Sequence, residues 1–167
     1  MAKTYKDTHS FMVAHVIDDA VTGQTFERLP RHVTLHPWFE TFEVSAMDRF
    51  LKAVRIIERR PIDTTPHMLK DIVWFGPGGD KRARTLGPRV TSLGYMHGVL
   101  AACFDEFDGT DTTYTGGAYT PHETEALGID YDNPELRIVV NSMCLIRRDE
   151  KFKTVVAAEK LNQATAE

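Results

Sequence analysis

Apolar residues in the first sixty positions arrange themselves in three blocks of different period. "SFMVAHVID" (10–18) is a mainly apolar run of strand length, holding His15 and ended by acidic residues and the turn-forming "VTGQ" (21–24). "RHVTLHPWF" (31–39) alternates polar and apolar positions and predicts a second strand, which Pro37 either closes or leaves at a sheet edge. The period then changes. In "SAMDRFLKAVRIIERR" (45–60), Met47, Phe50, Leu51, Val54 and Ile57 fall on one face of a helix, and Ser45 with Asp48 resembles a capping box at its start.

A second cycle follows. "MLKDIVWF" (68–75) and "KRARTLG" (81–87) flank "GPGGD", which predicts a hairpin. After Pro88 the residues Val90, Leu93, His97, Leu100, Phe104 and Phe107 recur at three- and four-residue steps, a second amphipathic helix. "DGTDTTYTGG" (108–117) is rich in turn formers and reads as a loop. "AYTPHETEA" is a strand candidate, and "LRIVVNSMCLIRR" (136–148) with "KFKTVVAAEKL" (151–161) predicts a hairpin turning at "DE"; the polar tail from about 162 reads as frayed. Two helices and seven strands, split into similar halves, predict an α+β fold: a single two-lobed domain over 1–167, with sheets meeting at a cleft and the helices outside.

Composition narrows the function. With 42% hydrophobic and 26% charged residues over 167 positions the chain has an ordinary globular make-up. A formal charge of −4 and no basic stripe argue against binding long duplex nucleic acid, which demands many phosphate contacts. The two cysteines, Cys103 and Cys144, lie in apolar segments and read as buried free thiols rather than a disulfide or zinc site. No signal peptide and no run of membrane-spanning length is visible, so a cytoplasmic, membrane-free monomer is the expectation.

The chemistry lies in a repeated spacing. His32 and Thr34 sit two apart in the second strand, and His122 and Thr124 sit two apart in the strand candidate of the other half, each pair just after a proline (Pro30, Pro121). Residues two apart in a strand share a face. Two imidazoles and two hydroxyls brought to one cleft suit phosphodiester chemistry: a neutral imidazole accepts a proton from the attacking group, an imidazolium gives one to the leaving oxygen, and hydroxyls donate to the non-bridging oxygens. A single His-x-Thr is weak, since seven histidines produce roughly one by composition. Two copies in matching contexts carry the argument.

The pair "PRHVTL" and "YTPHET", ninety positions apart, resembles the motifs of the two-histidine (2H) phosphoesterases, which include 2′,5′ RNA ligase-like proteins and cyclic phosphodiesterases; the resemblance spans about residues 8–161. It implies a bilobal, pseudo-two-fold fold, a metal- and cofactor-independent site in the central groove, and small nucleotide or oligonucleotide phosphodiesters as substrates. It also implies that His32 and His122 are the acid–base pair and that Thr34 and Thr124 bind phosphate. One departure stands out: the family's second motif carries apolar residues where this chain has Glu123 and Glu125, which would lie on the strand's rear, either solvated or bent toward a ligand.

Other residues extend the site. His36, on the same face as Thr34 if the strand stays regular, is expected at the rim. Tyr114 and Tyr119 are the preferred base-stacking aromatics, from a set that includes Trp38, Phe39 and Trp74, and Arg31 offers charge to a phosphate. His97, on the apolar stripe of the second helix, reads as a core histidine with a local partner. His32 and His36 lack a third nearby ligand, so no metal site is expected. Three functions follow: a phosphodiesterase acting on cyclic or 2′,5′-linked nucleotides (a viral enzyme destroying cyclic nucleotide messengers among them) or on RNA ends in the manner of a 2′,5′ ligase; a non-catalytic nucleotide-binding module; and an interaction protein whose motifs are accidental.

Overall fold

The computed structural model describes residues 8–16, 20–60, 67–75, 81–86, 91–107, 119, 121–124 and 137–161. The elements in chain order are β1 (His9–Val16), β2 (Thr25–Phe26), β3 (His32–Thr41), α1 (Glu43–Ile57), β4 (His67–Phe75), β5 (Lys81–Leu86), α2 (Thr91–Phe104), β6 (His122–Thr124), β7 (Arg137–Ile138), β8 (Ser142–Asp149) and β9 (Phe152–Lys160). The strands join in the order β2-β9-β8-β1-β3-β6-β5-β4-β7, and every described pairing is antiparallel. The fold is α+β, with two helices among the described residues, as expected. The two halves of the chain meet strand to strand, through β3 and β6.

Alternation along β1 assigns the two faces. Phe11 and Val13 enter the larger core, with Val33, Leu35 and Phe39 of β3, Phe50, Ala53, Val54 and Ile57 of α1, and Leu93, Met96, Leu100 and Phe104 of α2. Met12, Ala14 and Val16 point the other way, into a smaller cluster with Cys144, Ile146 and Val155, flanked by Phe26, Leu29 and Trp38. The helices therefore cover one face of β1, β3 and β8. Transfer of each large side chain in this core from water contributes about 1.5–3 kcal/mol.

Several sequence expectations change. Strand β3 runs through Pro37 to Thr41, so the proline does not end it. Helix α1 begins at Glu43, and its N-cap, Phe42, makes no side-chain cap, so Ser45 and Asp48 form no capping box. Glu43 in that first turn suits the helix dipole and pairs with Arg147 of β8 at 2.5 Å, which anchors the helix start to the sheet. The apolar run 136–148 is not one strand: β7 pairs with β4 in one half, β8 pairs with β1 and β9 in the other, and residues 139–141 cross between them. The short β2 escaped the pattern altogether. Its preceding turn did not: the Gln24 amide donates to the Val21 carbonyl at 3.0 Å, and Gly23 supplies the positive φ of 92° that this turn needs. The predicted loop 108–117 and the tail from 162 lie outside the described residues.

Candidate active site

The register of β3 on β6 builds the site. Val33 lies opposite Glu123 in this antiparallel pair. One step to either side, His32 comes opposite position 124 and Thr34 opposite His122. Opposite residues share a face, and diagonal neighbours in such a sheet are roughly 7–8 Å apart. His32 and His122 are diagonal neighbours, close enough to flank one tetrahedral group. Ala14 lies across from Thr34 and Val16 across from His32 on β1, so the set occupies the face away from the helices. On the far side of β6, Thr85 lies opposite His122 and Ala83 opposite Thr124. A row of Ala14, Thr34, His122 and Thr85 thus crosses four strands, with His122 between two threonines. Thr85 had no motif to mark it; only the β5–β6 register identifies it.

His32 is oriented by the chain that precedes it. Its Nδ1 lies 2.8 Å from the Pro30 carbonyl oxygen, which can only accept. Nδ1 therefore carries the proton, and Nε2 of the neutral ring holds the free lone pair. Burial lowers the His32 pKa from its usual 6.5, while the Pro30 hydrogen bond and the Glu123 charge push it back up. In the resting protein the ring is held toward its neutral, proton-accepting form.

The backbone at Thr34 is held from the helix side. The β1–β3 register shifts between Ala14↔Thr34 and Val13↔His36, which leaves Leu35 as the extra residue of a bulge. Two side chains meet the carbonyls there. Tyr119 donates its hydroxyl to the Thr34 carbonyl at 2.9 Å, and His97 Nδ1 donates to the Leu35 carbonyl at 2.8 Å. The two rings stack 4.0 Å apart at 8°. His97 is thus the buried, locally partnered histidine that its position on the apolar stripe predicts.

Several expected contacts lie elsewhere. His36 does not border the site: the bulge turns it to the opposite face, where it is 0% exposed against Phe39 and Phe104 with Nε2 2.8 Å from Asp105. Tyr119 packs into the helix-side core instead of stacking on a ligand, and burial pushes its phenol pKa well up. Phe39 is likewise core. Trp74 is exposed, yet it pairs with Arg82 in the register that places it on the face of Arg84 and Glu123. Trp38 does share the face of His32 and Thr34, with the Arg148 guanidinium 4.4 Å above its ring. Tyr114 and Glu125 lie outside the described residues.

The expected charge at Arg31 is committed to the rear of the sheet. Its Nε and Nη2 donate to the two carboxylate oxygens of Glu123 at 2.5 and 3.0 Å. Glu123 is 0% exposed, neither solvated nor bent toward the site face, because this fork compensates its burial. Arg84 lies across from Glu123 on the next strand, also buried. A surface hollow of about 550 Å³ at the β8–β9 turn, lined by His9, Arg148, Asp149 and Phe152, sits at the opposite end of β1 from His32.

No family model and no curated protein sequence matches the chain. Solved structures do. A protein described as a phosphoesterase superposes with a TM-score of 0.59 at 16% identity, covering 94% of this chain and 100% of its own. Escherichia coli LigT complexed with 3′-AMP gives 0.57 at 16% identity over 94% of this chain and 100% of that one. Kluyveromyces marxianus Usb1 gives 0.56 at 10% identity over 93% and 97%. The fold is LigT-like, matched over nearly the full length of both chains.

Proposed function

We propose that the chain is a metal-independent phosphodiesterase that hydrolyses a small nucleotide phosphodiester, with His32 and His122 as its acid–base pair. The observation that carries this reading is the β3–β6 register, which draws residues ninety positions apart onto neighbouring sites of one sheet face. One imidazole Nε2 takes the proton of the attacking water while the other ring protonates the departing ribose oxygen, so the two faces of the phosphorus are served together. Thr34 and Thr124 donate to the non-bridging oxygens as charge builds there. Thr85, beside His122, adds a hydroxyl to that rim. The LigT neighbours support a nucleotide phosphate as ligand, having been crystallised with 3′-AMP, NADP+, phosphate and ATP. The net charge of −4 favours a short substrate over a long duplex.

The test is a substrate panel in excess chelator: nucleoside 2′,3′-cyclic monophosphates, 2′,5′-linked oligoadenylates, and cyclic di- and trinucleotides of the kind used as antiviral messengers. Turnover of at least one class that survives the chelator and is lost in H32A and H122A is the expected result. No turnover of any class, or activity abolished by chelator and restored by metal, overturns the proposal.

RNA end processing or 2′,5′ ligation is the second reading, favoured by the LigT and Usb1 likenesses and by the reversibility of acid–base transesterification. The binding-only alternative drew its support from Glu123 and Glu125 in the second motif. The Glu123 carboxylate faces away from the histidines, which takes away its part of that support; Glu125 lies outside the described residues.

A further inference from the structure

Behind the two histidine strands lies an ion pair that joins them, its carboxylate fully buried and its guanidinium partly so. Arg31 immediately precedes His32, and Glu123 immediately follows His122, so each motif contributes one member. We propose that the Arg31–Glu123 fork is a positioning pair: it locks β3 onto β6 in the one register that brings the histidines together, and it stations a negative charge behind His32. The proposal deepens the phosphodiesterase reading where rate is concerned, and its structural half stands apart from that reading.

The need for such a lock follows from how short the strand-to-strand ladder is, the Tyr119 hydroxyl on the Thr34 carbonyl being a second tie beside it. Among the described residues, β6 is three residues long and its ladder with β3 shows a single paired position, Val33↔Glu123. A slip of one residue would turn His122 to the opposite face. Backbone pairing over so short a length resists slippage weakly. A guanidinium fork is less permissive. Its two parallel hydrogen bonds, from Nε to Oε1 and from Nη2 to Oε2, demand one separation and one relative orientation of the two strands. Complete burial sharpens the demand, because a slipped register would leave the Glu123 carboxylate without its fork in the core.

The same carboxylate acts on the neighbouring imidazole. It raises the proton affinity of His32, against the larger and opposite effect of burial. Among the described residues, the charged and titratable groups around His32 are Arg31 immediately before it, Glu123 and His122 on β6, Arg84 across from Glu123 on β5, and His15 across from Val33 on β1. Glu123 is the one acid in this set. Its neutralisation therefore moves the His32 titration in a known direction.

Two variants separate positioning from bulk stability. In E123Q, which keeps the size of the side chain, NMR titration of the ring protons should find His32 titrating at lower pH than in wild type. In the double variant R31L/E123L both charges of the fork leave together, as replacements of buried pairs generally allow, while Arg84 across from position 123 keeps its charge, so circular dichroism first establishes that the fold is retained. The register loses its lock. Amide exchange at β3 and β6 should quicken, and kcat on whichever phosphodiester the wild type cleaves should fall about 10- to 100-fold, the scale of a small misplacement of reacting groups. An unchanged His32 titration in E123Q overturns the electrostatic half. A folded double variant with wild-type exchange and kcat overturns the positioning half. If the wild type cleaves nothing, the phosphodiesterase reading falls alone, and the titration and exchange still decide the pair.

Discussion

His32 and His36 are four residues apart on one strand and have opposite fates, which sets the chemistry at the residue scale. Regular alternation puts both on one face, and the sequence shows no break between them. The bulge at Leu35 turns His36 into the helix-side core, where burial lowers its pKa against the pull of Asp105, and leaves His32 on the open face. Burial also lowers His32 from 6.5. The consequence for activity has a sign: the proton-accepting form persists below pH 6.5, so the acid limb of kcat/KM should fall below that value. A limb at or above it would contradict the assignment of His32. Stability has its own sign. Between the lowered folded values and about 6.5 the unfolded chain binds more protons, so this stabilisation is complete above the unfolded pKa and is lost as pH falls through the folded ones. Denaturant midpoints measured from pH 7 downward should decline across that window. Replacement of either motif histidine by alanine should reduce kcat by about 10²–10⁴-fold, the usual worth of a positioned acid or base. A folded variant that retained full activity would exclude that residue from the reaction.

Among elements, the bulged middle of β3 is the most consequential. Two carbonyls at the bulge are met by Tyr119 and His97, side chains from the segment before β6 and from α2. The second half of the chain thereby fixes the backbone beneath Thr34 in the first. Tyr119→Phe keeps the stacked ring and removes one donor, so it should cost about 1–3 kcal/mol, the range for leaving a buried carbonyl unpaired. Chemical denaturation measures it, and a change near zero would mean that water replaces the hydroxyl. Helices were legible from their period, yet the start of α1 was not. Ser45 and Asp48 mimic a cap in sequence, whereas the helix begins two residues earlier because Glu43 reaches Arg147 on a distant strand. The run 136–148 misleads for a related reason: apolar continuity does not record which partner strand each part will find.

At the scale of the whole molecule, the sheet is a continuous surface with helices on one side of β1, β3 and β8 and the histidines on the other. Stability and the proposed chemistry thus fall on opposite faces of the same strands. Phe50 and Phe104, both 0% exposed in the helix-side core, serve the first. Phe50→Ala should destabilise by about 3–5 kcal/mol, read from the denaturation midpoint. A loss below 1 kcal/mol would show that α1 is not anchored through this side chain. Cys144 lies under the smaller cluster, its thiol pushed up to about 11 by burial, so a thiol reagent should leave it unmodified until the chain unfolds.

The amino-acid sequence by itself determined the helices, most strands, the buried thiols, and the two His-x-Thr pairs, because each depends on periods and residue types read over a few neighbouring positions. The tertiary structure alone decided what those positions face. Strand order brought β6 beside β3, a bulge removed His36, Tyr119 and His97 took the carbonyls beneath Thr34, and Arg31 turned to Glu123. These outcomes depend on pairing between distant segments, and a pairing is a property of two strands together, which neither one's local pattern contains.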